Sequence, residues 1–212
     1  MPLAKSLRLA LVLFATCCLA LAVCAIAKDE KPAAADGKKS APADPAADFE
    51  AFLKANQPGE HHAHLKQLVG TFDVDMETVM APGAPPQKSK GVSKSEMVLG
   101  GRYLHGSYKG EMMGMPFEGN SLMGYDLQKK KYFNAWVDSM GTGIMVFEGT
   151  CDGAGKAFTF TGEYDDPITK AHTKIRHVTK IVSPEKYTFE WFETGPDGKE
   201  RKTMSATYTR VK

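Results

Sequence analysis

Apolar and polar side chains alternate along most of the C-terminal two thirds of the chain. In the first such stretch, Phe72, Val74, Met76 and Met80 are separated by mainly acidic positions. Residues 187–192 show a similar pattern and are rich in aromatic side chains. Because successive side chains of a strand point to opposite faces, this period of two predicts strands with one buried and one solvated face.

Nine turn signals divide this region into ten predicted strands. Each is a short cluster containing Gly, Pro, Asp or Ser, which favour tight turns. Because the connections are short and no helical segment interrupts them, the sequence predicts an all-β fold, an antiparallel up-and-down β-barrel whose last strand pairs with its first. A two-layer sandwich is the alternative. The turn signals are Pro82–Pro86, Gly100–Gly101, Gly114–Pro116, Asp126–Lys130, Ser139–Gly141, Asp152–Gly155, Asp165–Pro167, Ser183–Glu185 and Gly195–Gly198.

The number of strands bears on what the barrel can hold. About eight strands enclose a space that interior side chains can just fill. Ten strands make a wider barrel, so the sequence predicts a cavity. The barrel is assigned to residues 70–212.

Two short helices are predicted over residues 45–69, where apolar side chains fall at helical spacing. The second of them is expected to run from Pro58 to about Val69. Its apolar stripe includes Leu65 and Leu68. We expect this helix to close one end of the barrel.

The first 27 residues have the pattern of a secretory signal peptide. Two basic residues precede an apolar run over residues 9–27, and charged residues follow at once. Cleavage is expected after Ala27, which predicts an exported protein, periplasmic or extracellular, without a membrane span. Cys24 opens a lipoprotein alternative. Residues 28–44 lack large apolar side chains and are expected to form a disordered tether.

Loss of the signal would leave a formally neutral chain. The sequence has 27 Lys and Arg against 25 Asp and Glu, and two basic residues lie in the predicted signal, so 25 remain against 25. Nucleic-acid binding requires a clustered basic surface, so no nucleic-acid partner is expected. Three of the four cysteines also lie in the signal. Cys151 therefore has no intrachain partner; its thiol could be inert or form an intermolecular bridge.

Short motifs recur at the predicted turns and strand entries. They are Pro58-Gly59 with His62, Gly70-Thr71-Phe72, Pro82–Pro86, Gly100–Leu104, Gly114–Gly119, Gly124–Asp126, Trp136–Met140, Gly195–Gly198 and Tyr208–Arg210. Together, over about residues 58–212, they resemble a bacterial family known as a domain of unknown function with a lipocalin-like, calycin-type β-barrel. The resemblance implies the fold and supplies no reaction, ligand or catalytic residue.

The entry into the first strand departs from the family's pattern. That entry usually reads Gly-x-Trp, and here Phe72 stands where the Trp would be. In lipocalin-like barrels this aromatic residue is covered by an arginine of the last strand, and the resemblance gives that role to Arg210. A structural contact between Arg210 and Phe72 is therefore expected.

Candidate pocket residues are polar or aromatic side chains scattered over several strands and turns. A barrel pocket collects single side chains from many strands, so such scatter is typical of it. Each of these residues could equally be an outward strand residue or a turn former. The candidates are Arg102, His105, Tyr125, Trp136, Asp138, Arg176, His177 and Glu190.

Three histidines near the barrel end invite a metal interpretation. At 100° per helical residue, however, His62 and His64 lie to different sides of the apolar stripe, so the two imidazoles do not converge on one ion. His62 is expected to be structural, hydrogen-bonded beneath the barrel end.

A second cluster consists of Met112, Met113 and Met115. Alternation along an extended strand separates Met112 from the other two, which favours a packed or flexible rim over a Cu(I) site. No metal and no cofactor is predicted.

The function predicted from these features is binding of a small, partly apolar molecule in the barrel cavity. The alternative is a structural or protein-interaction module of the cell envelope. An enzyme is the third class, in which His105 and Asp138 would pair as base and orienting carboxylate. The sequence has no nucleophile elbow, zinc helix, phosphate loop or Cys-x-x-Cys motif, so no catalytic residue is assigned.

Overall fold

Ten antiparallel strands form a closed barrel. The computed structural model describes residues 44–81, 83–167, 170–195 and 197–212. Two short helices, α1 (Pro45–Ala55) and α2 (Glu60–Leu65), and a 3₁₀ turn (Lys66–Leu68) precede the barrel. The strands are β1 (Gly70–Thr78), β2 (Gln87–Val98), β3 (Tyr103–Met112), β4 (Met115–Asp126), β5 (Lys131–Asp138), β6 (Met145–Cys151), β7 (Ala157–Asp165), β8 (His172–Ser183), β9 (Lys186–Thr194) and β10 (Glu200–Arg210).

The predicted barrel topology is confirmed. Each strand pairs with the next along the chain, and β1 pairs with β10, in the register Phe72 opposite Arg210. The alternative sandwich is wrong, because no strand of the sheet is left with a free edge. β1 ends at Thr78, so the exposed Met80 lies beyond the strand to which its spacing assigned it.

The second predicted helix is shorter than its apolar pattern suggested. The backbone N–H of Gly59 donates to Nδ1 of His62 at 3.1 Å, and the helix starts only after this glycine. His62 is buried at this point. The 3₁₀ turn that follows α2 brings Leu65 and Leu68 into the core, where they pack with Phe72 at one end of the barrel. We call this the closed end.

α1 contributes nothing to that closure. It begins after Asp44, whose carboxylate accepts from the N–H of Ala46, and Pro45 occupies its first turn. None of its side chains is buried, and Phe49 and Phe52 stack on each other at the surface.

Arg210 joins the first and last strands at the closed end. Its guanidinium carbon lies 4.6 Å from the centre of the Phe72 ring, which is the contact that the family resemblance implied. The same group donates to the carbonyls of Val69 at 2.7 Å and Pro184 at 2.9 Å. Gly70 has a φ of +139° and lies so close to the guanidinium that a Cβ there would overlap it. A residue without a side chain is therefore required beside this arginine.

Several large aromatic side chains inside the barrel lie flat against the wall, each over a glycine of a neighbouring strand. A Cβ at Gly119 would overlap the indole of Trp136, one at Gly149 would overlap Phe160, and one at Gly162 would overlap Phe147. The hydroxyl end of Tyr108 lies over Gly91 of β2 and over Gly110 of its own strand. Packing of rings over glycines leaves the centre of the barrel free of these rings.

The predicted signal peptide and lipidation site lie outside the described residues, as does the predicted tether up to residue 43. Within the described residues, no helix combines the length and apolar character needed to cross a membrane.

Candidate functional site in the barrel interior

The barrel encloses a cavity of about 370 Å³. It extends from Leu68 at the closed end to Met112 and Met140 at the opposite end, which we call the mouth. Met140, in the β5–β6 connection, is about half exposed, so the cavity reaches the surface there. A volume of this size lies in the range of small-molecule sites, which begins at about 300 Å³.

Methionines dominate the mouth. Six methionines line the cavity as a whole, each on a different structural element: Met76, Met112, Met123, Met140, Met145 and Met204. A methionine side chain has three rotatable bonds and a polarisable sulfur, so it adapts its shape to different apolar surfaces. The mouth can thus change its opening without movement of the strands.

The remaining two methionines of the segment at the β3–β4 turn do not reach the cavity. Met113 and Met115 are more than half exposed, and only Met112 lines the interior. The predicted alternation along one strand does not explain this separation: Met113 lies in the turn with a φ of +55°, and Met112 and Met115 are register partners on β3 and β4, so they share one face of the sheet.

Both tryptophans line the cavity, and each is anchored by a carboxylate two residues further along its strand. The indole N–H of Trp136 donates to Asp138 at 2.8 Å, and that of Trp191 donates to Glu193 at 3.0 Å. Asp138 also accepts from the backbone N–H of Met140 at 2.9 Å. With their polar ends satisfied, the two indoles offer only apolar surface to the cavity.

Three lining residues carry buried polar atoms without a hydrogen-bond partner. They are His177 with both ring nitrogens, Asn134 with its Oδ1, and Tyr108 with its hydroxyl. Within the part of the chain that the structure describes, these are all the buried side-chain polar atoms of this kind, and all three residues line the cavity. Buried polar groups in proteins are normally paired, so these three residues are the candidates for polar contacts inside the cavity.

The environment of His177 keeps its imidazole neutral. The ring is 1% exposed and stacks on Phe160 and Trp191, with centroid distances of 4.8 and 5.8 Å. Burial lowers the pKa of His177 to about 3. A neutral imidazole has one donor and one acceptor nitrogen, so this side chain can both donate and accept a hydrogen bond.

A row of small residues crosses the cavity wall beside these groups. Ser95, Gly106 and Ser121 are in register on β2, β3 and β4. A Cβ on Gly106 would lie 2.5 Å from the hydroxyl oxygen of Ser121 and 3.2 Å from that of Ser95. The glycine therefore makes room where two hydroxyls approach each other.

The eight candidate pocket residues separate into two groups. Trp136, Asp138 and His177 line the cavity. The other five lie elsewhere: Arg102 bonds the carbonyls of Leu99 and Asn56, Tyr125 stacks on His61, His105 lies in register with Leu122 on the outer face, Arg176 pairs with Glu200, and Glu190 pairs with Lys202. His105 and Asp138 thus lie on opposite sides of the barrel wall.

The alternation of side-chain direction along each strand distinguishes inward from outward candidates. Arg176 directly precedes His177, and Glu190 directly precedes Trp191, so within each pair only one side chain can face the interior. The same rule places Asn134 on the face of Trp136, and Tyr108 on the face of Gly106. Sequence reasoning missed both Asn134 and Tyr108, because amide and phenol groups in strands carry no motif.

At the closed end, the histidines of α2 surround the hydroxyl of Tyr132. Nδ1 of His61 lies 3.2 Å and Nδ1 of His64 lies 3.0 Å from that oxygen, which itself donates to the carbonyl of His61. These contacts engage one nitrogen of each ring. Among the described residues, no cluster of three or more His, Cys, Asp or Glu side chains could hold a metal ion.

Cys151 lies near the same end and is half buried. Burial raises the pKa of its thiol to about 11, with a smaller contribution from Asp152. A thiol with so high a pKa is a poor nucleophile at neutral pH, because it is almost entirely protonated.

Comparison with known proteins agrees with the fold. The crystal structure of Rv2717c from M. tuberculosis is 12% identical with a TM-score of 0.54, over 74% of this chain and 100% of that one. A redesigned β-barrel is 17% identical with a TM-score of 0.38, over 70% of this chain and 96% of that one. EF1p2_mFAP2b bound to DFHBI is 13% identical with a TM-score of 0.40, over 72% and 100%. No curated protein matches the chain significantly.

The family comparison confirms the resemblance inferred from the motifs. A family model described as "Protein of unknown function (DUF1579)" matches residues 57–210, from the turn before α2 to the last residue of β10. The likeness to Rv2717c concerns the fold alone. The chain belongs to the DUF1579 family.

Proposed function

We propose that this protein binds a small, largely apolar molecule inside the barrel. The observation that carries the proposal is the cavity of about 370 Å³, which reaches the surface at the methionine-lined mouth. Removal of this apolar surface from water by a bound ligand is favourable, by roughly 25 cal/mol per Å². Aromatic walls and adaptable thioethers suit a flat or flexible apolar body.

Titration with Nile red, an uncharged apolar dye, tests this proposal. The chain has two tryptophans, and both line the cavity, so a bound dye should quench their fluorescence while its own emission rises. We expect saturable binding with one dye per chain. Native mass spectrometry of protein purified from its own host provides the second readout. A ligand that fits such a pocket should add a mass of about a few hundred daltons.

A matched pair of variants locates the dye. Ser121→Leu adds apolar bulk to the lining, whereas Asn120→Leu makes a similar change at the neighbouring, outward position of β4. Ser121→Leu should weaken Nile red binding by about tenfold or more, and Asn120→Leu should leave it unchanged. Equal effects of the two variants, in proteins with unchanged melting temperatures, would place the dye outside the barrel and refute the proposal.

A second candidate function, protein interaction, is favoured by the outer face of β4, β5 and β6. Leu122, Ala135 and Val146 are in register across these strands, and Val137 and Ile144 extend the same apolar surface. Exposed apolar patches of this sort often mark contact surfaces. Sedimentation tests self-association: Val146→Lys should dissociate any dimer, and a wild-type chain that stays monomeric at high concentration removes this form of the hypothesis.

We also propose that the protein is exported and cleaved after Ala27. The support is the basic start and the apolar run of the first 27 residues. Intact mass of the protein from its host is the test. A mass that begins at Lys28 supports the proposal, a lipid-bearing chain that begins at Cys24 supports the lipoprotein alternative, and an uncleaved chain contradicts both.

A further inference from the structure

We infer that the cavity takes an uncharged ligand whose buried end carries a hydroxyl or amide group, held by His177 and Asn134. The inference deepens the proposed binding function and rests on it. Its starting point is that these two residues share one cavity and hold three of the four unpartnered buried polar side-chain atoms of the described residues, the fourth being the Tyr108 hydroxyl, which lies against Gly91 and Gly110 of the wall. A ligand group that both donates and accepts hydrogen bonds would satisfy such a set, and an apolar ligand would leave it unpaired.

The packing of His177 determines which part of its ring a ligand can meet. Phe160 and Trp191 stack on the two faces from the neighbouring strands β7 and β9, with interplanar angles of 19° and 7°. Phe147 meets the ring at 83°. Since the faces are covered, a ligand can approach only the edge of the ring, which carries the nitrogens. The imidazole is therefore held for hydrogen bonding rather than for stacking.

The charges around the cavity argue for a neutral ligand. No Lys or Arg lines it, and its one lining carboxylate, Asp138, is already bonded to the indole of Trp136 and to two backbone N–H groups of the mouth turn. Burial keeps the pKa of His177 far below neutrality, so this side chain offers no positive charge. A carboxylate at the buried end would lose its hydration without gaining a counter-ion, which is costly. Fatty-acid anions are thus excluded in favour of alcohols, phenols and amides.

Three naphthalenes of nearly equal size separate these possibilities by competition against Nile red. 2-Naphthol has a hydroxyl that donates and accepts, 2-methoxynaphthalene has an oxygen that only accepts, and 2-naphthoate carries a negative charge. We expect 2-naphthol to bind about tenfold or more tightly than either of the others, since one further hydrogen bond to a buried group is worth about that factor. Equal or tighter binding of 2-naphthoate would overturn the inference.

Two variants assign the preference to the histidine. His177→Phe keeps an aromatic ring between Phe160 and Trp191 and removes both nitrogens. His105→Phe makes the same change on the outer face of β3. In His177→Phe, the preference for 2-naphthol over 2-methoxynaphthalene should fall by about threefold or more while Nile red still binds, because only Asn134 remains to contact the hydroxyl. In His105→Phe, the full preference should persist.

The outcomes distinguish this inference from the function on which it rests. If Nile red and all three naphthalenes fail to bind, the proposed function itself fails. If Nile red binds and the naphthalenes bind equally, the cavity binds ligands but the assigned polar recognition is wrong. If the hydroxyl preference is as large in His177→Phe as in the wild-type protein, the histidine does not contribute to it. Should His177→Phe fold poorly, Asn134→Leu supplies the corresponding test, and the comparison of the three compounds on the wild-type protein needs no variant.

Discussion

Replacement of His177 by Phe should make the protein less sensitive to acid. The imidazole has a pKa of about 3 in the folded chain because it is buried, against 6.5 for an unperturbed histidine. Below pH 6.5 the unfolded chain therefore binds a proton that the folded chain does not. The stability conferred by keeping this group neutral is fully present above pH 6.5 and is lost progressively as the pH falls from 6.5 towards 3.

The magnitude follows from the pKa difference. Each pH unit within this window changes the free energy of unfolding by about 1.4 kcal/mol, so at about pH 5 the wild-type protein should have lost about 2 kcal/mol through His177 alone. The Phe variant lacks this loss. It should also be more stable by roughly 1–3 kcal/mol at about pH 7.5, because two buried nitrogens without partners are removed.

Urea unfolding at both pH values, followed by tryptophan fluorescence, measures the effect. The quantity of interest is the difference in free energy of unfolding between His177→Phe and the wild-type protein, since the titration of surface carboxylates is common to both. We expect this difference to grow by about 2 kcal/mol between about pH 7.5 and pH 5. His105→Phe, the same exchange on the outer face of β3, serves as the control for removal of a histidine. A difference that stays constant with pH would refute the argument that His177 is buried as a neutral group.

Three further predictions concern the closed end and the surface. Arg210→Ala removes the contact with Phe72 and two hydrogen bonds to carbonyls, so it should lower the free energy of unfolding by about 2 kcal/mol in urea titrations; a loss below about 0.5 kcal/mol would contradict the role of this residue. Cys151 should react with iodoacetamide at neutral pH much more slowly in the folded than in the urea-unfolded chain, because burial raises its pKa to about 11; equal rates would contradict this. Hydrogen bonds with Asp165 and a second carboxylate raise the pKa of the exposed His172, so its NMR titration midpoint should lie above 6.5, and a midpoint at or below 6.5 would argue against these contacts.

The fold could be predicted because its determinants are local. Each turn is specified by a few residues such as Gly100–Gly101, and each strand by its own alternation. Closure of the barrel is a long-range event, yet it follows once ten short-linked strands are known and β1 and β10 carry complementary residues, Phe72 and Arg210. The sequence was less informative about element ends. α2 stops at Leu65, and the apolar pattern that continues beyond it belongs to a 3₁₀ turn.

The site was only partly predictable, because side-chain type says little about direction. Arg176 looked like a pocket residue, but its guanidinium lies over Phe192 on the outside and pairs with Glu200. If the buried face of β5 had been known, Asn134 would have been predicted to face the interior together with Trp136. The missing hydrogen-bond partners of His177 could not be inferred at all from sequence, since they depend on how side chains of β6, β7 and β9 pack around this residue of β8.

The glycines of the wall determine how much room a ligand has. Tryptophan and phenylalanine occupy large volumes, and ten strands with this many inward rings would ordinarily produce a solid core. Here Trp136, Phe147 and Phe160 each rest in a recess provided by Gly119, Gly162 or Gly149. Alanine at any of these positions would tilt a ring towards the axis and shrink the interior. The volume available to a ligand therefore depends on these three glycines. Replacement of one glycine hydrogen by a methyl group is the smallest change that could alter which molecules fit in the barrel.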